Sequence, residues 1–298
     1  MASAEARLVE VGHKLAEVTS KIRELERERR KLEKEQARLT DELQKEECDK
    51  LLAQDWGRTT FEWSERVNLA KKEVFGLDKF RENQLEVINA TLSKHDCLLV
   101  MPTGGGKSLT YQLPAVISDG VTLVVSPLLS LMEDQLMGLR KRGVGAEMLT
   151  GTTDKETKAR VMKEMLDKNS QLRLLYVTPE KCSKSKQFMA KLQKMHQAGR
   201  FVRLAIDEVH CCSQWGHDFR PDYKFLGAMR ELFPDVPILG LTATSTAGVT
   251  KDVKEILRIP QALLFMSDFN RPNLRYSVEL KPEFEQGSVA RVVVAHGL

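Results

Sequence analysis

Lys107 and Ser108 follow three glycines in the stretch PTGGGKSLTYQL, and that stretch follows the short apolar run CLLVM at 97–101. A strand, a glycine turn and a Lys-Ser pair opening a helix form the arrangement that cradles a polyphosphate. The backbone N–H groups of Gly104, Gly105 and Gly106 converge on phosphate oxygens and the helix N-terminus adds its dipole. Lys107 then reaches the β- and γ-phosphates and Ser108 ligates Mg²⁺. Pro102 and Thr103 lead into the turn, and Met101 stands where the general pattern has glycine. A phosphate loop calls for a second strand ending in an acid, which LAIDE at 204–208 supplies. Asp207 is placed to hold Mg²⁺ through its water shell, and Glu208 to orient or deprotonate an attacking water. The expected ligands are ATP and Mg²⁺.

These residues need a scaffold that delivers them to one place. Short β-branched runs at 97–101, 121–126, 172–178, 201–207 and 237–244 alternate with helical stretches such as LLSLMEDQLMGLRKRG. That alternation predicts an α/β fold, with a central parallel sheet flanked by helices. Ligands of such sheets sit beyond the carboxyl ends of the strands, where both motifs fall.

The stretch DEVHCCSQWGHDFRPDY at 207–223 raises a second question. Cys211 and Cys212 are adjacent and cannot easily close on one tetrahedral zinc, and His210 and His217 lack a second ligand pair, which argues against a zinc site. Gln214, Trp215, His217, Phe219 and Arg220 combine π-faces with a cation, the means by which a surface stacks on unpaired bases and holds phosphate. Burial of Trp215 and Phe219 in the core is the competing reading. The remaining cysteines, Cys48, Cys97 and Cys182, are scattered and form no C-x₂-C pair.

The N-terminus has another character. Leu8, Val11, Leu15, Val18, Ile22, Leu25, Leu32, Leu39 and Leu43 recur at alternating steps of three and four, with Arg29 and Gln36 filling two a positions. This is a heptad seam on a helix about 54 Å long. Residues 1–47 are expected to form an oligomerising coiled coil; a single solvated helix, or one lying back on the globular body, is the alternative. Residues 48–62 read as a linker and the globular domain as 63–281. With 42% hydrophobic residues, 30% charged and a net charge of +4, the chain of 298 residues can build one substantial core. It contains no run long and apolar enough for a membrane helix, so no membrane partner is expected.

Taken in order, FGLDKFRENQLEVI (75–88), MPTGGGKS (101–108), SPLLSLMEDQ (126–135), VTPEK (177–181), the 207–223 stretch and LTATST (241–246) resemble the motifs of the first motor lobe of RecQ-family DNA helicases. The resemblance covers roughly positions 60–280 and implies a RecA-like P-loop NTPase lobe. Thr103 before the glycines suits the helicase variant of the loop. The resemblance further implies that Arg81 and Gln84 read adenine, and that His210 couples the γ-phosphate to Thr242–Thr244. It makes 214–220 the aromatic loop linking DNA binding to hydrolysis. Ser126 and Thr178 follow strand ends on the same rim and are candidates for the DNA backbone. Nuclear location, 3′-to-5′ unwinding of DNA at single-stranded and duplex junctions, and a role in DNA repair and recombination are likewise what the family implies.

The family carries a second motor lobe with an arginine finger, and no matching motifs occur in these 298 residues; 282–298 match nothing in the family. A truncated or spliced product, or an incomplete gene model, is the expectation. Two functions follow: an ATP-dependent helicase represented by its first lobe, or a catalytically incompetent interaction protein that binds ATP and DNA and pairs through its coiled coil.

Overall fold

The computed structural model describes residues 3–214 and 218–268. A single helix, α1 (Ala4–Ala53), is followed by α2 (Ser64–Glu73), α3 (Gln84–Leu92), β1 (Cys97–Val100) and α4 (Leu109–Ile117). Then come β2 (Val121–Val125), α5 (Leu129–Lys141), β3 (Gly145–Leu149), α6 (Lys155–Glu164) and β4 (Leu172–Val177). The helices α7 (Pro179–Lys184) and α8 (Lys186–Gln197) lead to β5 (Phe201–Ile206) and a 3₁₀ turn at Val209–Cys212. Short helices α9 (Pro221–Lys224) and α10 (Gly227–Leu232), then β6 (Ile238–Thr242), α11 (Ala247–Leu257) and β7 (Leu263–Met266) complete the lobe.

The strands form one seven-stranded sheet in the order β3-β4-β2-β5-β6-β1-β7, and every pairing is parallel. Successive side chains along a strand point to opposite faces, so both faces acquire a core. Leu123, Val125, Leu204 and Ile206 enter a cluster with Phe188, Leu192 and Leu257. Val124, Ala205, Leu239 and Leu241 enter the other cluster with Tyr111, Met132 and Leu139. Helices therefore cover both sides, as an all-parallel sheet requires. The five strands expected from sequence are all present. The edge strands β3 and β7 were not anticipated: GAEML is poor in β-branched residues, and LLFM is only four residues long.

One boundary is corrected. The segment 48–62 is not a linker throughout, because α1 continues to Ala53 and Trp56 is buried, only 5% exposed, in the cluster beneath α4 and α5. Its indole Nε1 donates to the Leu51 carbonyl at 3.0 Å, and its own carbonyl accepts from Asn89 Nδ2 at 2.7 Å. Its ring stands edge-on to His95, 5.3 Å between centroids. The globular body thus begins before position 63 and clasps the root of the helix. Residues 269–281 of the expected domain and the tail 282–298 lie outside the described residues.

Trp56→Ala should lower unfolding stability by about 3–5 kcal/mol, the range for emptying a buried aromatic site. Urea denaturation measures it; a change below about 1 kcal/mol would restore the linker reading.

Candidate nucleotide and nucleic-acid site

Because all strands are parallel, the loops leaving β1, β2, β4, β5 and β6 open on one rim. The phosphate loop leaves β1. Gly104 and Gly106 adopt φ of +80° and +91°, the region glycine enters without steric cost. A Cβ on Gly105 would stand 2.9 Å from the Pro102 carbonyl oxygen, and one on Gly106 would sit on a backbone at φ +91° and 2.4 Å from Gln84 Nε2, so a side chain is strained at both positions. Gly105 N–H donates to the Pro102 carbonyl at 2.9 Å, and Lys107 Nζ donates to the Met101 carbonyl at 3.0 Å, folding the lysine back along its own loop. Ser108 precedes α4 without making a side-chain cap, while Thr103 and Gly104 are exposed at the turn's tip and Pro102 is half-buried.

Arg81 and Gln84 reach this loop from the start of α3. Gln84 is 3% exposed; its Oε1 accepts from Arg81 N–H at 2.8 Å and its Nε2 donates to the Gly106 carbonyl at 3.0 Å. The Arg81 guanidinium donates to the Gly104 carbonyl. A carboxamide has two N–H donors and two acceptor lone pairs; backbone engages one of each here, which leaves one of each for the bidentate pair an adenine edge would take. In this geometry the two side chains brace the phosphate loop.

Asp207 and Glu208 leave β5 on the same rim. Asp207 is 9% exposed; its carboxylate accepts Glu208 N–H at 3.1 Å and faces Ser126 Oγ at 3.5 Å. Burial, then the Glu208 charge, pushes its pKa up to about 6. Glu208 is raised as well, by burial first and by Asp218. Lys107 is lowered by burial, while the charges of Glu208 and Asp207 act to restore it. Lys107 and the two acids thus lie near enough for their charges to act on one another. Asp207 with Ser108 fits Mg²⁺, which characteristically takes one or two protein oxygens and completes its octahedron with waters and phosphate oxygens. Among the described residues no cluster of three or more His, Cys, Asp or Glu side chains is disposed to hold a metal.

With this geometry in place the comparisons are decisive. Residues 81–253, more than half of the chain, match the DEAD/DEAH box helicase family. The chain belongs to that family. Its curated relatives include ATP-dependent DNA helicase Q1 of Rattus norvegicus, 53% identical over 83% of this chain and 40% of the relative. The Mus musculus protein of the same name is 56% identical over 76% of this chain and 35% of its own length. ATP-dependent DNA helicase Q-like 2 of Arabidopsis thaliana is 52% identical over 81% and 33% respectively. The RecQ-type resemblance carried by the motifs is thereby upheld, and this chain spans 33–40% of the length of these three relatives. The crystal structure of the DUF1998 helicase MrfA bound to DNA aligns at TM-score 0.55 and 18% identity, over 70% of this chain and 28% of that one, a likeness of fold alone.

In this DEAD/DEAH box lobe His210 sits on the 3₁₀ turn after the acidic pair. Its Nδ1 lies 2.8 Å from Thr242 Oγ1 and 3.3 Å from Glu208 Oε2. Thr242 Oγ1 is also 2.8 Å from the Thr244 carbonyl, an acceptor for its hydroxyl proton, and that arrangement suits a proton on His210 Nδ1. The histidine thus bridges the acid motif and the LTATST segment.

The residues proposed for nucleic acid separate. Thr178 is half-buried at the amino end of α7, and Gln214 is exposed. Phe219 lies 5.2 Å under the Lys224 ammonium. Arg220 pairs with Asp218 at 3.1 Å and donates to the Pro127 carbonyl at 3.4 Å. Ser126 is the exception: at 2% exposure, with its hydroxyl directed at Asp207, its side chain faces the acidic pair and is not on the surface. Trp215 and His217 lie outside the described residues. Cys211 and Cys212 are buried in the core, and burial pushes both thiols up. Ser126 as a partner of the acid was missed because its position after a strand is shared by many rim residues.

The raised Asp207 has a thermodynamic consequence. Its ordinary value is 3.8 and its folded value about 6, so the native state holds the proton more tightly than the unfolded chain. Stability falls as pH rises from about 4 to about 6 and is then level, a penalty of up to about 3 kcal/mol. Without Mg²⁺, Asp207→Asn should melt above the wild type at pH 8, with the gap closing as pH falls through 6, while Mg²⁺-dependent nucleotide binding is lost. Calorimetry across pH checks this; a variant less stable than wild type at pH 8 would show that the carboxylate's hydrogen bonds outweigh its desolvation.

Proposed function

We propose that this chain is the nucleotide-binding first motor lobe of a RecQ-type ATP-dependent DNA helicase. The reading rests above all on the arrival of the glycine turn with Lys107, and of Asp207 and Glu208, at one carboxyl rim, near enough for the charges of the acids to act on the lysine. In that role the loop amides and Lys107 would bind the triphosphate, with Asp207 and Ser108 holding Mg²⁺, which supplies charge neutralisation to the phosphates. Glu208 would orient and deprotonate the water, its raised basicity suiting a group that must gain a proton. His210 would report the state of that site to Thr242–Thr244, and through them to DNA on the rim.

DNA would be held through Thr178, Gln214, Phe219 and Arg220, by stacking and phosphate contacts that carry no sequence information, which suits a translocating motor. The relatives' names imply a DNA substrate; 3′-to-5′ polarity, action at single-stranded and duplex junctions, and a nuclear setting follow from the same family reading. Efficient hydrolysis in this motor class draws on an arginine finger worth about 10³- to 10⁵-fold, which a partner lobe would contribute. Self-association through residues 8–43 completes the proposal: the seam side chains from Leu8 to Leu43 are all exposed, Leu8 by 74% and even Leu39 by 47%.

That exposed seam also favours a second reading, a protein that binds ATP and DNA without turnover and pairs through α1 with complete motor subunits. DNA-stimulated ATP hydrolysis by the 298-residue chain separates the two. Turnover that rises with single-stranded or forked DNA and drops by at least about 10²-fold in Lys107→Ala supports the motor. Nucleotide binding without turnover supports the interaction protein.

A further inference from the structure

The charges flanking the α1 seam are sorted along its length. With Leu8, Leu15 and Ile22 at a positions and Val11, Val18 and Leu25 at d positions, the residue before each a position is g and the residue after each d position is e. The g column reads Arg7, Lys14, Lys21, Glu28, Glu35, Glu42: three cations, then three anions, on one uninterrupted 50-residue helix. The e column reads Gly12, Thr19, Glu26, Glu33, Thr40 and carries no cation.

We infer that α1 pairs with the α1 of a second copy of this chain in antiparallel orientation. This rests on the proposed self-association and adds its direction and register. In an antiparallel pair g faces g and e faces e. With Ile22 opposite Leu25 of the second copy, Arg7 meets Glu42, Lys14 meets Glu35 and Lys21 meets Glu28, each twice by symmetry. No g pair is repulsive, and each e-column glutamate faces Gly12 or Thr19 of the second copy, so no like charges oppose. The seam agrees: Leu8 packs on Leu39, Leu15 on Leu32, and Arg29 meets Val18.

A parallel pair is opposed by the same columns. There g faces the next e of the partner, which gives one attraction, Lys21 to Glu26, and one repulsion, Glu28 to Glu33. It also sets Arg29 against Arg29 in the seam. Sliding the antiparallel pair by a heptad places Lys21 on Lys21 or Glu28 on Glu28, so the register is singled out as well. Within one helix Lys14 and Lys21 contact Glu10 and Glu17 at 2.6 and 2.8 Å, but all four side chains are more than 60% exposed, and such pairs are weak enough to be shared with a partner.

The orientation sets where the lobes stand. The pair centres near residues 23 and 24, so the two ends at Ala53 lie about 90 Å apart, at about 1.5 Å per residue. In a parallel pair they would be about 10 Å apart. Two motor lobes held at opposite ends of a rod engage separate stretches of nucleic acid and cannot share one nucleotide.

Sedimentation equilibrium of the full chain at low salt tests this with two charge-swapped variants, Glu28→Lys/Glu35→Lys and Lys14→Glu/Lys21→Glu. Each alone should weaken self-association by about tenfold or more, since attractive g pairs become repulsive. Their equimolar mixture should recover wild-type affinity, because every g pair is then again opposite in charge. Tightening by Glu28→Lys/Glu35→Lys would overturn the orientation and leave self-association standing, because in a parallel pair it converts Glu28–Glu33 into an attraction. No change in either variant would remove the charge column as its determinant. A wild-type chain that stays monomeric would overturn self-association and this inference together.

Discussion

Thr242 ties the site together, and the rest of the rim is arranged around its hydrogen bonds. Its carbonyl accepts Met101 N–H at 3.1 Å at the threshold of the phosphate loop. Its hydroxyl receives His210 and donates to Thr244. This is possible because β6 lies between β5 and β1 in the sheet, so the residue ending β6 is flanked by the acidic pair on one side and the glycine turn on the other. Under the proposed function, Thr242 is the residue through which nucleotide state would reach 242–244, because it already contacts both neighbours.

The same site is held at a thermodynamic cost. Glu208 adopts φ +49°, ψ +47°, a left-handed conformation that costs a residue with a Cβ about 1–2 kcal/mol. Asp207 is buried beside it with a raised pKa. The surroundings over-determine this arrangement: Tyr223 OH donates to the Asp207 carbonyl at 2.8 Å, and Asp207 N–H donates to the Val125 carbonyl at the end of β2 at 2.8 Å. Strain and desolvation persist where neighbouring packing enforces them, and here the enforcing elements are β2 and α9. The conformation aims the Glu208 carboxylate toward His210, 3.3 Å from its Nδ1, so the catalytic candidate and the coupling candidate are positioned by one backbone anomaly.

The sequence revealed whatever repeats or is chemically singular. The central strands are β-branched runs buried on both faces, and the GGGKS and DEVH motifs combine residue types that few structural roles require together. What it hid depends on contacts between distant residues. β3 is a strand because Gly145 lets its backbone approach Gln171, where a Cβ would stand 2.0 Å from the carbonyl oxygen; nothing local in GAEML announces that. Trp56 sits among Gly57, Thr59 and Thr60, so its neighbourhood reads as polar loop, yet its burial depends on Asn89 and His95 more than thirty positions away. The positions of Ser126 on the rim and Gln84 at a helix start do not announce their inward hydrogen bonds. Only the approach of Asp207 and Gly106 shows which partners they have taken.

The root of α1 bears on how the two halves of the chain relate. Trp56 packs against His95, two residues before β1, and against Asn89 near the end of α3. Both contacts lie toward the amino end of β1, whereas the phosphate loop leaves its carboxyl end. The long helix is therefore anchored on the side of the sheet away from the nucleotide rim. Whatever docks on its seam would leave the rim clear for the ligands of the proposed function. A helix of about 75 Å rooted there leaves the rim with the acidic pair and glycine turn clear of its base, so the proposed self-association and the proposed nucleotide chemistry would occupy separate ends of the lobe.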